Sequence, residues 1–174
     1  RHGTGVGRAV HSALEVVDMA GTGESEARHA AATEDVDPDL VVSMVAAALA
    51  SPSIVEAATS EYWRELFVAA PLSTDLLLEG YIDLAYRTES GLVVIDYKTD
   101  SWNAEQDLSA KVARYRLQGA AYALALQKAT GTRVERMAFC FVGSGAAVEH
   151  EIPDLEAAMT EVETWAEAAT SEET

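Results

Sequence analysis

Val6, Val10, Ala13, Leu14 and Val17 recur at three- and four-residue spacing and predict a helix over 6–20, closed by the run AGTG. The polar residues 21–38 that follow read as a loop. Apolar spacing returns over 38–50 as a second helix, which Pro52 breaks before a short third one. From residue 62 the period becomes that of a strand. YWRELFVAAP (62–71), LLLEGYIDLAYRT (76–88) and LVVIDYKT (92–99) predict three strands, the last two joined by a tight turn at ESG (89–91). The polar run DSWNAEQD leads into a long helix over 107–129, with Leu117, Ala121 and Leu124 as its expected buried stripe. RVERMAFCFV (133–142) predicts a fourth strand and AAVEHEIP (146–153) a fifth. A closing amphipathic helix follows, with Leu155, Met159, Val162 and Trp165 on one side. This order predicts one α/β domain over 1–174, a central mixed β-sheet flanked by helices.

Composition narrows the possibilities. The apolar runs are too short to span a bilayer, and no basic-then-apolar leader opens the chain. The single cysteine, Cys140, excludes an internal disulfide and a cysteine-rich metal or iron–sulfur site. A reducing, cytoplasmic setting is expected. The opening RHGTGVG has no initiator methionine and reads as an excised piece of something larger. The formal net charge of −17 argues against a nucleic-acid partner when taken alone. Its distribution weakens that argument. Seven of the twelve basic residues lie between Lys98 and Arg136, whereas the stretch from Glu149 onward holds nine acids and no Lys or Arg. The loop at 21–38 and this acidic tail are expected to face solvent or a partner protein.

The chemistry concentrates in the hairpin. Alternate strand residues share a face, so Asp96 and Lys98 sit side by side, as do Glu79, Tyr81 and Asp83. Antiparallel pairing around the turn brings Asp83 near Asp96. Two carboxylates and an ammonium on one sheet face repel or strain one another unless they bind something. A divalent cation with oxygen ligands removes that cost and supplies the chemistry of phosphodiester hydrolysis. An ordinary Asp–Lys pair on an edge strand is the competing explanation. On the long helix, Lys111, Tyr115, Gln118 and Tyr122 form a polar and aromatic stripe, and Lys111, Arg114 and Arg116 suit phosphate contacts. On the first helix Gly7 and His11 lie one turn apart, and His11 becomes a third metal ligand if it faces the carboxylates.

Four motifs occur in order: Gly7 with His11, GYID ending at Asp83, DYKTD with Asp96 and Lys98, and QGAAY with Gln118 and Tyr122. Together they resemble the PD-(D/E)XK nuclease superfamily, in particular its RecB-like branch, found as the C-terminal nuclease domain of RecB- and AddA/AddB-type helicase–nucleases. The resemblance implies a restriction-endonuclease-like core. It implies Mg²⁺ or Mn²⁺ held by His11, Asp83, Asp96 and the backbone carbonyl of Tyr97, with Lys98 as the catalytic lysine. Asp83 and Asp96 count with Lys98 as catalytic, and Gln118 and Tyr122 position the DNA strand or brace the site. Glu65 matches a less constant acidic position, where a salt bridge serves as an equal explanation. The partners implied are single-stranded DNA or DNA ends, a helicase motor in the same polypeptide and a partner subunit. The activity implied is exonucleolytic, in a DNA-repair helicase–nuclease. A tethered nuclease tolerates an acidic surface because the motor raises the local concentration of the strand. The alternatives are a catalytically silent DNA-binding or interaction module of the same fold, and a hydrolase of RNA or nucleotides.

Overall fold

A computed structural model describes residues 3–72, 76–99 and 105–171. Its elements are α1 (Gly5–Val16), α2 (Glu24–Glu34), α3 (Pro38–Leu49), α4 (Pro52–Ala57), β1 (Tyr62–Pro71), β2 (Leu77–Arg87), β3 (Leu92–Lys98), α5 (Glu105–Thr130), β4 (Val134–Gly143), β5 (Ala146–Glu151) and α6 (Leu155–Ser171). The strands form one mixed sheet in the order β1-β2-β3-β4-β5. This is the α/β architecture that the pattern predicts, with element ends within a few residues of those expected. Of the polar run at 100–107, residues 100–104 lie outside the described residues.

Local chemistry sets the boundaries. The Thr4 hydroxyl accepts from the Gly7 amide at 3.1 Å and caps α1, while Asp37 and Pro38 open α3. The β2–β3 turn is built by Thr88, whose hydroxyl oxygen accepts from the amides of Ser90 (3.2 Å) and Gly91 (3.1 Å). That turn fixes an antiparallel register of Leu84 with Ile95, Ala85 with Val94, Tyr86 with Val93 and Arg87 with Leu92.

The chain divides into two compact units, one of Arg1–Tyr62, Tyr97–Asn103 and Cys140–Glu149, the other of Trp63–Asp96, Ala104–Phe139 and His150–Thr174. In the first, α1 to α4 pack on one another around Val10, Leu14, Val41, Val45 and Ile54, all fully or almost fully buried. The second is cored by Ile82, Leu84, Tyr86 and Ile95 from the hairpin, Met137 and Phe139 from β4, and Leu124 from α5.

Three expectations are corrected. Residues 24–34 of the expected loop are the helix α2, whose buried face is only Ala27, Ala30 and Ala31. Alanines at that spacing fit a close helix contact but add too little hydrophobicity to stand out among polar neighbours. The Arg8 guanidinium on α1 meets Glu34 on α2 at 2.6 Å. On α5, Leu124 is buried as expected but Leu117 is 45% exposed, and the buried face runs from Leu124 through Ala123, Ala120, Val112 and Leu108. On α6, Trp165 is 63% exposed and Ala166 takes its expected place beside Ala158, Met159 and Val162. In both helices a small residue lets the backbone approach where a large one had been expected to fill the gap.

Cys140 is fully buried and its thiol donates to the Ser51 hydroxyl at 3.8 Å. Burial pushes the thiol from its ordinary 9.0 up to about 12, with Glu149 adding to the rise and the Ser51 contact opposing it. A three-unit rise makes the thiolate roughly a thousandfold scarcer at pH 8. A disulfide-exchange reagent is therefore expected to label no thiol in the native protein within minutes and one per chain in denaturant. Rapid native labelling would contradict this burial.

Candidate active site

Glu65 lies in the middle of β1 with φ at 46°, in the left-handed region that a glutamate rarely adopts. Its carboxylate and that of Asp83 on β2 have oxygens within 4.8 Å of one another. Two carboxylates this close are hard oxygen donors of the kind that Mg²⁺ or Mn²⁺ takes.

Asp83 and Asp96 are the next residues beyond the Leu84–Ile95 pair of the hairpin register. The Asp96 side chain is buried, at the end of a strand whose preceding residues Leu92 to Ile95 are all buried and apolar. The third group is Tyr122 on α5. Burial chiefly, then the negative charge of Asp96 and to a lesser degree that of Asp83, hold its phenol above the ordinary tyrosine range. A hydrogen bond with Gln118, one helical turn away, opposes that rise. Asp83, Asp96, Gln118 and Tyr122, taken from three motifs, thus converge in one unit.

The glycine of GYID has a steric reason. A Cβ on Gly80 would stand 2.8 Å from Cε1 of Tyr122, so only glycine lets that ring lie against β2.

In the other unit the same logic applies to Gly7. A Cβ there would stand 2.7 Å from the Thr99 hydroxyl, so α1 meets the chain immediately after Lys98. One turn along α1, the His11 ring packs edge-on against Tyr97, with centroids 6.0 Å apart at 78°. Gly7 and His11 therefore hold the chain over Tyr97–Thr99, where β3 ends, and Lys98, half-buried, lies between those two contacts. Asp96 and Lys98 occupy alternate positions of that one strand.

Three basic residues of α5 have partners within the protein. Arg116 pairs with Glu161 on α6, and Lys128 pairs with Glu163 at 2.8 Å. The Arg114 guanidinium lies over the Tyr115 ring, 5.5 Å from its centroid. Part of the acidic tail thus neutralises α5, and Arg116 is engaged within the protein. Residues 172–174 of that tail lie outside the described residues.

Sequence reasoning passed over Phe67, whose ring meets that of Tyr81 at 5.3 Å between centroids. The available signal was Tyr81, a large aromatic in phase with Glu79 and Asp83 on the polar face of β2.

A family model described as the PD-(D/E)XK nuclease superfamily matches residues 2–173. Among curated proteins, the chain is 36% identical over 85 residues to an ATP-dependent helicase/nuclease subunit of Alkaliphilus oremlandii, covering 49% of this chain and 7% of that protein. It is 36% identical over 84 residues to the protein of the same name from Clostridium botulinum strain Loch Maree, covering 48% and 6%. The counterpart from Acetivibrio thermocellus, again of that name, is 33% identical over 84 residues, covering 48% and 7%. The matched segment is thus a small fraction of these relatives' own length.

Proposed function

This chain belongs to the PD-(D/E)XK nuclease superfamily, and on that premise we propose that it hydrolyses DNA phosphodiester bonds with a divalent metal. In this reading it is a single nuclease domain, acting exonucleolytically within a longer helicase–nuclease polypeptide. The observation that carries the reading is the convergence of Asp83, Asp96 and Gln118 on Tyr122. Similarity to helicase/nuclease subunits from three organisms supports DNA as the substrate.

The proposed ligands of Mg²⁺ or Mn²⁺ are His11, Asp83, Asp96 and the Tyr97 carbonyl, with Glu65 as a further carboxylate. The bound cation supplies charge neutralisation at the phosphate and a more acidic water. Asp83 and Asp96 hold the negative charge that selects a cation at this spot. Lys98 orients the attacking water and offsets the charge that grows on the scissile phosphate. Tyr122 keeps its proton because its phenol is held above the ordinary range, so it remains a hydrogen-bond donor. Gln118, exposed on the same helix, reaches the strand beside it.

The test incubates the protein with linear single- and double-stranded DNA at low salt, in Mg²⁺, in Mn²⁺ and in chelator, with Mn²⁺ titration calorimetry alongside. Expected are metal-dependent loss of DNA from its ends, heat of Mn²⁺ binding in the wild type, and none in Asp96→Asn. Absence of both cleavage and metal binding would overturn the proposal. Binding of metal without cleavage would favour the silent module.

Gly80→Ala supplies a separate check on the role of Tyr122. The added methyl displaces the ring at a cost of about 1–3 kcal/mol in stability. Cleavage is expected to fall at least tenfold under conditions where the variant remains folded. Unchanged cleavage would remove Tyr122 from the proposed machinery.

A further inference from the structure

We infer that Phe67 and Tyr81 form a stacking platform for the bases of a single DNA strand beside the carboxylate pair. The inference rests on the nuclease reading above and deepens it by naming the form of the substrate. Phe67 is 52% exposed and Tyr81 59% exposed, yet their rings contact each other at 5.3 Å, tilted by 57°. Leu77, 58% exposed, lies on the same strand as Tyr81. Large apolar side chains scattered singly on a surface need no explanation. Two exposed aromatic rings held against each other on adjacent strands make an apolar surface with a defined place, each ring offering its own face.

That place is beside the candidate site. Tyr81 and Asp83 are alternate residues of β2 and share its face. Phe67 lies two residues beyond Glu65 on β1. On β2 the ring and the carboxylate are thus roughly 7 Å apart along the strand, and each meets a side chain of β1. A phosphate at the carboxylates leaves the neighbouring nucleotide over the rings.

Charge identifies what the rings hold. Glu79 and Asp83 flank Tyr81 along β2, and Glu65 is two residues from Phe67 on β1, so the acids near the rings disfavour a phosphate wherever no cation intervenes. Bases are neutral and offer π-faces, and stacking on aromatic rings is largely indifferent to sequence. In a duplex those faces are covered by neighbouring base pairs. The platform therefore takes unpaired nucleotides, and it gives an acidic protein a grip that does not depend on positive charge.

The test measures fluorescence anisotropy of labelled thymidine oligonucleotides at low salt, with Ca²⁺ as the divalent ion. Each strand is paired with an abasic strand of equal length. The proteins are wild type, Phe67→Ala/Tyr81→Ala and Phe67→Tyr/Tyr81→Phe, each checked by thermal melting. The double alanine variant is expected to bind the thymidine strand at least tenfold more weakly and the abasic strand unchanged, while the conservative variant retains wild-type affinity. Equal losses on both strands, or none on either, would overturn the platform. So would no binding by the wild type, or a wild-type dimer that the alanine variant lacks, since the rings would then be an interface between copies. Binding is read here without cleavage, so a protein that discriminates the two strands but never cuts refutes the nuclease reading and leaves the platform standing.

Discussion

Lys98→Met is expected to lower metal-dependent DNA cleavage about a thousandfold, in the range found when a single charge-stabilising group is removed from a catalytic site. Methionine is nearly as long and unbranched, and it removes the ammonium with its charge and its hydrogen-bond donors. Lys98 is half-buried at the end of β3, next to the Thr99 contact with Gly7. A truncation there risks loosening the join between β3 and α1, and the longer side chain avoids that. The melting temperature is expected to stay within about 3 °C of wild type, since Lys98 is half-buried and outside the apolar core. Mn²⁺ binding is expected to persist, because Lys98 is not among the proposed ligands. Lys98→Arg restores the charge but not its position, and partial recovery is expected at most. Single-turnover cleavage assays with melting curves separate these cases. Wild-type cleavage by Lys98→Met would remove the lysine from the chemistry.

Phe139→Ala is expected to show the largest loss of stability in the second unit. The ring is fully buried, lies 5.9 Å from the Tyr115 ring and reaches the backbone of α5 at Gly119. A Cβ on Gly119 would stand 2.8 Å from the Phe139 Cζ, so β4 and α5 approach as closely as a glycine permits. Removing the ring leaves a cavity that neither element can readily close. Comparable truncations cost about 3–5 kcal/mol, a large share of the 5–15 kcal/mol that stabilises an ordinary domain. For a protein of this size that lowers the melting temperature by about 6–20 °C. Urea denaturation gives the same quantity independently. A loss below about 1 kcal/mol would mean that the β4–α5 contact repacks, contrary to its tight geometry.

Strand identity was legible wherever apolar residues are large and alternate. β1 spans the predicted residues, and the β2–β3 register follows from the short turn that Thr88 builds. Helices were harder where alanine carries the contact. α2 buries Ala27, Ala30 and Ala31, which a search for large apolar residues passes over. The side of α5 that packs was misjudged at Leu117 because glycine and alanine, not leucine, allow the closest approach. The carboxylates of the candidate site were legible because they interrupt strands that are otherwise apolar. The reasons for the motif glycines were not, because Gly7 and Gly80 are required by Thr99 and Tyr122, each far away in sequence. Backbone conformation was also hidden: nothing in the order of residues around Glu65 announces a positive φ.

That last feature bears on how the protein changes under selection. A glutamate held in the left-handed region costs about 1–2 kcal/mol, which glycine at the same position would largely recover. A laboratory search for heat resistance is therefore drawn to Glu65→Gly, and it would return a sturdier protein with one carboxylate fewer beside Asp83. Screens that score survival of heating alone would count that as progress. A search that scored cleavage as well as survival would measure what that carboxylate is worth against the hardiness forgone.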